Sequence, residues 1–502
     1  MKETKKKFSF ESLLKLIPIL YGIMFLIVLV LLLFFSGIPY YLKRVYLISD
    51  IFVLIPFFIF VFLFCRFYKD KEINDHNFKK ILLVLFLAIG VLQIILIVNT
   101  YFYTSWDVKV IRELVNTYVK TGTVKEDYYL SVYPNNILLT AILAFIRKLP
   151  FIGKYYITTL IINAFLVNIS GVFAALTIKN LKNSKAAIIG YIIMLPLVLL
   201  SPWINIPYSD TFALPCVTLL MYLYSKDKKL KDYVLIGFVS FVGYKIKPTV
   251  IILLIAIIII EFISNIKNIN KQTIKKYLKI GGVFIVGIVC GVLINKASAI
   301  YLRFKPVSYA KPFTFIHYLA MGQNDETLGA YSQQDKDDTI IYGKRNDLSK
   351  IKNRVLSRNF SQTVSFYSKK TLLNFNDGSF SWGLDGTPSF FYKKSKAPNN
   401  FAKFLRQIYY DDGKYYDLFL QVQNYIWLIV LLLCPFIMKK DNDKKEFVIM
   451  LSIFGLVLFL TLFEPRTRYM YCYSGIFIIA AVLGLFNLKN MIDSKLAKRK
   501  SQ

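Results

Sequence analysis

The chain is 502 residues long and 56% hydrophobic, with a mean hydropathy of +0.50, which excludes a soluble multidomain protein and indicates an all-α polytopic membrane protein whose core is the bilayer interior. Its formal charge of +33 does not indicate nucleic-acid binding. The basic residues fall in short blocks between apolar runs (Lys2 to Lys7, Arg66 to Lys80, Lys179 to Lys185, Lys226 to Lys231, Lys267 to Lys279, Lys439 to Lys445, Lys495 to Lys500) and so set membrane orientation instead of forming one basic face.

The first apolar run, Leu13 to Phe35, is too long for a signal-peptide core and reads as a retained span. At about 20 apolar residues per crossing, the sequence predicts about 12 to 13 transmembrane helices. They lie near 14 to 36, 47 to 65, 80 to 100, 155 to 177, 186 to 202, 211 to 225, 232 to 246, 248 to 264, 280 to 298, 423 to 438, 446 to 463 and 469 to 487. Placing the basic blocks inside puts both termini in the cytoplasm. It puts Tyr101 to Asn136, Ser201 to Asp210, Lys245 to Pro248, Tyr301 to Gln421 and Glu464 to Arg468 outside. The short apolar segment Ile137 to Leu149 is either a further crossing or a helix dipping into the outer leaflet, and its outer flanks favour the dip. Three modules follow: 1–300, with the first outer loop at 101–136; an extracytoplasmic loop region at 301–422; and 423–502, the last spans with a basic tail. The long loop reads as short helices and turns, with turn signals at Asn376-Asp377-Gly378, Asp385-Gly386 and Asp411-Asp412-Gly413. The five cysteines (Cys65, Cys216, Cys290, Cys434, Cys472) sit in or beside apolar runs without metal-ligand spacing, so they read as small buried hydrophobes.

Five clusters fall on the outer side. Trp106-Asp107 stands just past the third span, and a carboxylate at a membrane edge is a functional-site candidate. The residues after it form an amphipathic stripe, Val108, Ile111, Leu114, Val115 and Tyr118, suited to an interfacial helix. That segment closes on Tyr133-Pro134-Asn135-Asn136, where Pro134 can start a helix and two amides offer donors and acceptors. The second cluster is Pro207-Tyr208-Ser209-Asp210, where Asp210 either caps a helix or acts directly. Lys245-Ile246-Lys247-Pro248 is the third; lysines at outer span ends suit an anionic ligand such as a phosphate. The fourth, His317 to Asp335, carries Gln323 and Asn324, which could bond sugar hydroxyls. In the fifth, Glu464-Pro465-Arg466-Thr467-Arg468-Tyr469, two arginines can grip a phosphate with Glu464 steadying one of them. Soluble-enzyme signatures such as a phosphate-cradling glycine loop, HExxH, GxSxG or paired CxxC are absent.

These motifs resemble the GT-C superfamily of integral membrane glycosyltransferases, which includes glycosyltransferase family 39 and the protein O-mannosyltransferases. The resemblance rests on TSWD at Asp107, YPNN, PYSD, KP, HYLAMGQN and EPRTRY, and PYSD is also similar to the PYSE turn of the GPI mannosyltransferase II group. The usual paired acids are here the single Asp107, which argues against a protein acceptor. The resemblance implies an inverting sugar transfer from a polyprenyl-phosphate donor, with Asp107 as general base and Lys247, Arg466 and Arg468 on the donor phosphate. Trp106, Tyr133, Asn135, Asn136, Tyr208, Asp210, His317, Gln323 and Asn324 become substrate-binding candidates. Some relatives bind a divalent metal beside the acid; the sequence has no clear metal cluster and assigns no cofactor. The acceptor would be a wall polymer, a glycolipid or another glycan. A polysaccharide polymerase or ligase is the second reading. A lipid-linked sugar flippase is the third, disfavoured because ionisable residues crowd the outer edge instead of the midplane.

Overall fold

The structure is a computed structural model that describes residues 10–35, 49–69, 72–149, 155–266, 270–386, 393–394 and 396–501; the Lys2 to Lys7 block lies outside them. The described chain is built from nineteen α-helices: α1 (Phe10–Phe35), α2 (Leu54–Phe67), α3 (Asp75–Thr100), α4 (Trp106–Thr121), α5 (Tyr128–Val132), α6 (Asn136–Lys148), α7 (Tyr155–Leu181), α8 (Ser184–Met194), α9 (Ser209–Ser225), α10 (Leu230–Ile246), α11 (Ile251–Asn265), α12 (Lys271–Tyr301), α13 (Phe315–Met321), α14 (Gln333–Ser357), α15 (Phe360–Phe375), α16 (Asn400–Tyr409), α17 (Tyr416–Leu433), α18 (Lys444–Leu462) and α19 (Ser474–Ser501). Within the described residues the apolar runs named above are mainly helical. Among the described residues nine helices are long and apolar enough to cross a membrane. The runs near 186 to 202, 211 to 225 and 232 to 246 give the shorter helices α8, α9 and α10.

The ends of these helices collect at two poles. At one, the start of α3 meets the end of α7 through Asp75 and Lys179 at 2.7 Å, and Lys444 at the start of α18 lies 3.8 Å from Glu261 near the end of α11. At the other, Asn205 donates to the hydroxyl of Thr100 at the end of α3 over 3.0 Å. The candidate site lies at this second pole. Backbone contact holds α10 and α12 together: a Cβ at Gly287 would fall 1.9 Å from the Val234 carbonyl, and one at Gly237 2.1 Å from that of Phe284. Without a hydrophobic driving force between helices in lipid, such close approach supplies the attraction.

The stripe predicted after Asp107 forms α4, and its Val108, Ile111, Val115 and Tyr118 are buried. They pack on α6, where Arg147 donates to Asn116 at 2.9 Å and the Lys148 ammonium lies 4.3 Å from the Tyr118 ring. Helix α6 has 13 residues, about 20 Å at 1.5 Å per residue, short of a hydrocarbon core of about 30 Å.

Among the described residues the long loop region is helical, α13 to α16, with α14 broken at Gly343, and the strands form two-residue and three-residue ladders. The first loop is tied to it through them: β1 (Phe102–Tyr103) pairs antiparallel with β4 (Lys393–Lys394), and β2 (Lys125–Asp127) pairs parallel with β3 (Phe304–Pro306). An ion-pair network supplies the polar frame of α13 to α15. In it Asp335 accepts from Lys350 at 2.7 Å, from Arg354 at 2.8 Å and from Asn324 at 2.8 Å.

Candidate functional site

Asp107 sits in the first turn of α4, where the helix dipole favours a negative charge. The residue before it, Trp106, holds φ at +48°, a conformation that bulky side chains avoid and that surrounding contacts must enforce. Those contacts are its indole N–H, which donates to the Asp385 carbonyl at 3.0 Å, and the Tyr208 ring, edge-on at 5.0 Å. Tyr208 also donates its hydroxyl to Asp107 Oδ2 at 3.1 Å. Tyr129 joins them: its hydroxyl accepts from Asn136 Nδ2 at 2.7 Å and reaches both Asp107 and Tyr208. Burial, then the Asp107 charge, pushes the Tyr129 phenol up, so it stays protonated and can donate to the carboxylate.

The cations gather beside this acid. The Arg468 guanidinium lies 4.4 Å from the Trp106 ring and 6.0 Å from that of Tyr208. One carboxylate, Asp385, reaches both arginines, at 3.1 Å from Arg466 and 3.9 Å from Arg468. Asp385 thus makes the direct ion pairs expected of Glu464, while Glu464 lies in the field of both arginines and beside Tyr469. Burial raises the Glu464 carboxyl, opposed by Arg466 and Arg468 and reinforced by Asp107. Lys247 is buried and bonded to Asp210 Oδ1, and its ammonium lies 4.4 Å from the Tyr469 ring. Asp210 is therefore not the helix cap: Tyr208 occupies the cap position of α9, and its N–H donates to the Thr211 hydroxyl at 3.3 Å. Lys245 instead lies over Phe241 and Tyr244, the ordinary stance of a lysine at a span end.

The structure therefore brings together Asp107, Trp106, Tyr208, Asp210, Lys247, Arg466, Arg468 and Asn136. Asn135 adjoins the group through a weak 3.4 Å contact to Asn136. Tyr133 packs against Tyr129 at 5.0 Å and Phe313 at 5.4 Å, within the fields of Asp107 and Glu464. Among the described residues no group of three or more histidine, cysteine or acidic side chains is placed to hold a metal ion, and Asp107 accepts from the Tyr208 phenol. A surface groove of about 650 Å³ lined by Glu72, Asn74, Asn77, Lys80 and Lys185 belongs to the opposite pole and takes no part in the cluster.

The sequence model of a family described as conserved hypothetical integral membrane protein matches residues 9–487. The chain belongs to that family. No curated protein matches it significantly. As an integral membrane protein it has the lipid bilayer as its solvent and partner.

In this family member the fourth cluster frames the site instead of opening onto it. His317 Nδ1 lies 2.7 Å from the Thr339 hydroxyl, and its ring stacks on Phe313 at 4.2 Å; burial lowers the imidazole to about 4, so it is neutral near pH 7. Gln323 donates to the Leu462 carbonyl at 3.0 Å while its oxygen accepts from Arg358 and Tyr367. Asn324 serves Asp335. All three side chains are spent on the wall formed by α13 to α15.

Lys370 of α15 is wholly buried and bonds the Gly322 carbonyl. Burial, helped by Arg358 and opposed by Glu464, lowers its ammonium to about 7. A lysine lowered from its ordinary 10.5 binds a proton more weakly in the folded state, so stability rises with pH between about 7 and 10.5 and its burial costs most below 7. Melting curves between pH 6.5 and 9.5 should rise with pH in the wild type, and Lys370→Met should flatten that rise.

Tyr129 and Asp385 lie outside the five clusters that the sequence marks, and Tyr469 closes the fifth with no role assigned to it there. Tyr129 had a local signal, standing five residues before Pro134. Asp385 carries only the turn signal of Asp385-Gly386.

Proposed function

We propose that this protein is a membrane glycosyltransferase that moves a sugar from a polyprenyl-phosphate-linked donor to a glycan or glycolipid acceptor, on the membrane face opposite its basic loops. The observation that carries the reading is the placing of one half-exposed carboxylate, Asp107, beside Trp106, whose ring meets Arg468 and whose indole bonds Asp385, the carboxylate that also holds Arg466. A hydroxyl acceptor needs a base at the attacking oxygen, and a phosphate leaving group needs cations where its charge develops. In the transfer, the acceptor oxygen attacks the anomeric carbon as its proton passes to Asp107. The carbon–phosphate oxygen bond breaks and its electron pair leaves with the lipid phosphate toward Arg466 and Arg468, inverting the anomeric centre. Tyr208 and Tyr129 keep the carboxylate aimed.

The basic pole becomes cytoplasmic by the positive-inside rule, with both termini there and the site outside. On that topology α8, α9 and α10 cross as well, giving about twelve spans, and α6 dips partway into the outer leaflet. The chain's Lys, Ile and Asn bias points to AT-rich coding and a Gram-positive setting, where the acceptor would be a teichoic acid or another wall polymer.

The decisive assay incubates the purified protein in nanodiscs with a polyprenyl-phosphate sugar and a crude wall-glycan acceptor. Release of free polyprenyl phosphate together with sugar incorporation is the expected result. Polymerisation of whole repeat units would assign the protein to the polymerase and ligase class, and lipid-sugar translocation without transfer would make it a flippase.

A further inference from the structure

The two arginines assigned to the donor phosphate already hold an anion. Lys247, Arg466 and Arg468 face Asp107, Asp210, Asp385 and Glu464. Lys247 is matched to Asp210, and Arg466 and Arg468 converge on Asp385. Among the described side chains of this cluster the carboxylates outnumber the cations, so a lipid phosphate that takes the arginines does so in place of a carboxylate. Asp385 also serves the arginines incompletely. The Nε–H groups of Arg466 and Arg468 are buried without a hydrogen-bond partner, and only the Arg466 contact, at 3.1 Å, is a hydrogen bond. A donor phosphodiester carries its charge on two non-bridging oxygens, as a carboxylate does, but sets them tetrahedrally beside two weakly accepting ester oxygens, so it can reach N–H groups that the planar carboxylate leaves unserved.

The mounting of Asp385 suits such exchange. The preceding loop is fixed: Asp377 accepts from the Ser379 and Ser381 N–H groups at 2.8 Å each, and the indoles of Trp203 and Trp382 donate to Ser379 and Tyr409 carbonyls at 3.0 and 2.8 Å. Gly378 packs so closely that a Cβ would fall 2.2 Å from the Gln423 carbonyl. Past this anchored segment, one wide helical turn, Trp382–Gly386, carries Asp385. The same residue that grips the arginines accepts the Trp106 indole through its carbonyl.

We infer that Asp385 is a carboxylate placeholder in the phosphate seat, displaced by the donor's prenyl phosphate and returning to expel the product phosphate. This rests on the donor-phosphate reading above. It makes Asp385 a positioning residue that links phosphate arrival to Trp106, and so to the neighbouring base Asp107.

The test uses farnesyl phosphate, with farnesol as control, titrated onto the full-length protein in nanodiscs and read by intrinsic tryptophan fluorescence. Of the four tryptophans, Trp203, Trp382 and Trp427 are wholly buried, leaving Trp106 as the responsive reporter. Asp385→Asn should bind farnesyl phosphate at least about tenfold tighter than wild type. In the transfer assay it should lower the donor KM and also kcat, because product leaves more slowly. Asp385→Glu, which keeps the charge, should bind no tighter than wild type. If wild type binds the phosphate in preference to farnesol but Asp385→Asn binds it equally or more weakly, the placeholder is overturned. If Asp385→Asn does not fold, tighter binding by Asp385→Glu overturns it instead. If wild type and Arg466→Gln/Arg468→Gln alike fail to distinguish farnesyl phosphate from farnesol, the phosphate seat itself is wrong and the proposed function falls with it.

Discussion

Replacing Asp107 by asparagine should lower sugar transfer by roughly 10²- to 10⁴-fold, the range that a positioned general base contributes, while leaving the fold and donor binding in place. The geometry explains why the loss should be so selective. Asp107 is half-exposed in the first turn of α4, and its main partners are the Tyr208 and Tyr129 hydroxyls, which can donate to an amide oxygen as they do to a carboxylate. Asparagine therefore preserves the hydrogen bonds and removes only the proton acceptor. The measurement is single-turnover transfer from a polyprenyl-phosphate sugar, with farnesyl phosphate affinity recorded in parallel. Full activity in Asp107→Asn would remove the base from the mechanism. An equal fall in affinity and rate would make Asp107 a binding residue instead.

The sequence revealed the helices more fully than the site. Apolar runs such as Leu13 to Phe35 and Ile81 to Val98 fix their helices because their length is set by the bilayer and leaves little choice of structure. The stripe from Val108 to Tyr118 announced α4 for the same kind of reason, since burial on α6 requires one apolar face. The site was legible only where residues stand at helix ends. Asp107, Asp210, Lys247 and Arg466 were all conspicuous there, being charged where charge is costly. The pairing among them was not visible. Whether Asp210 caps α9 or meets Lys247 depends on the relative rotation of α9 and α10, which periodicity does not encode. Asp385 was hidden further, because an Asp-Gly pair in a polar loop has turn formation as its ordinary cause. Its contact with Trp106 spans 279 positions. His317, Gln323 and Asn324 show the opposite case: polar residues in a suggestive motif whose hydrogen bonds are consumed by the frame.

The second large effect concerns Lys247 and separates stability from chemistry. Lys247 and Asp210 form an ion pair between α9 and the end of α10, with side chains 8% and 1% exposed. Asp210 Oδ2 has no hydrogen-bond partner, so Lys247 carries most of the burden of keeping that charge in a dry place. Lys247→Met should destabilise the protein by about 3–5 kcal/mol, because removing one member of a buried pair leaves an uncompensated charge. Asp210→Leu should cost a similar amount for the converse reason. The double variant Lys247→Met/Asp210→Leu should recover most of the loss, since no buried charge then remains, and thermal unfolding in nanodiscs across the four proteins gives the coupling directly. Near-additive losses would mean that water reaches the pair and that it is not the buried contact described. Transfer activity of the recovered double variant then decides the role of the lysine. A stable but inactive double variant places the Lys247 ammonium on the departing phosphate, where Tyr469 and the nearby arginines would share it. A stable and active one leaves Arg466 and Arg468 alone to receive that charge and confines Lys247 to holding α9 against α10.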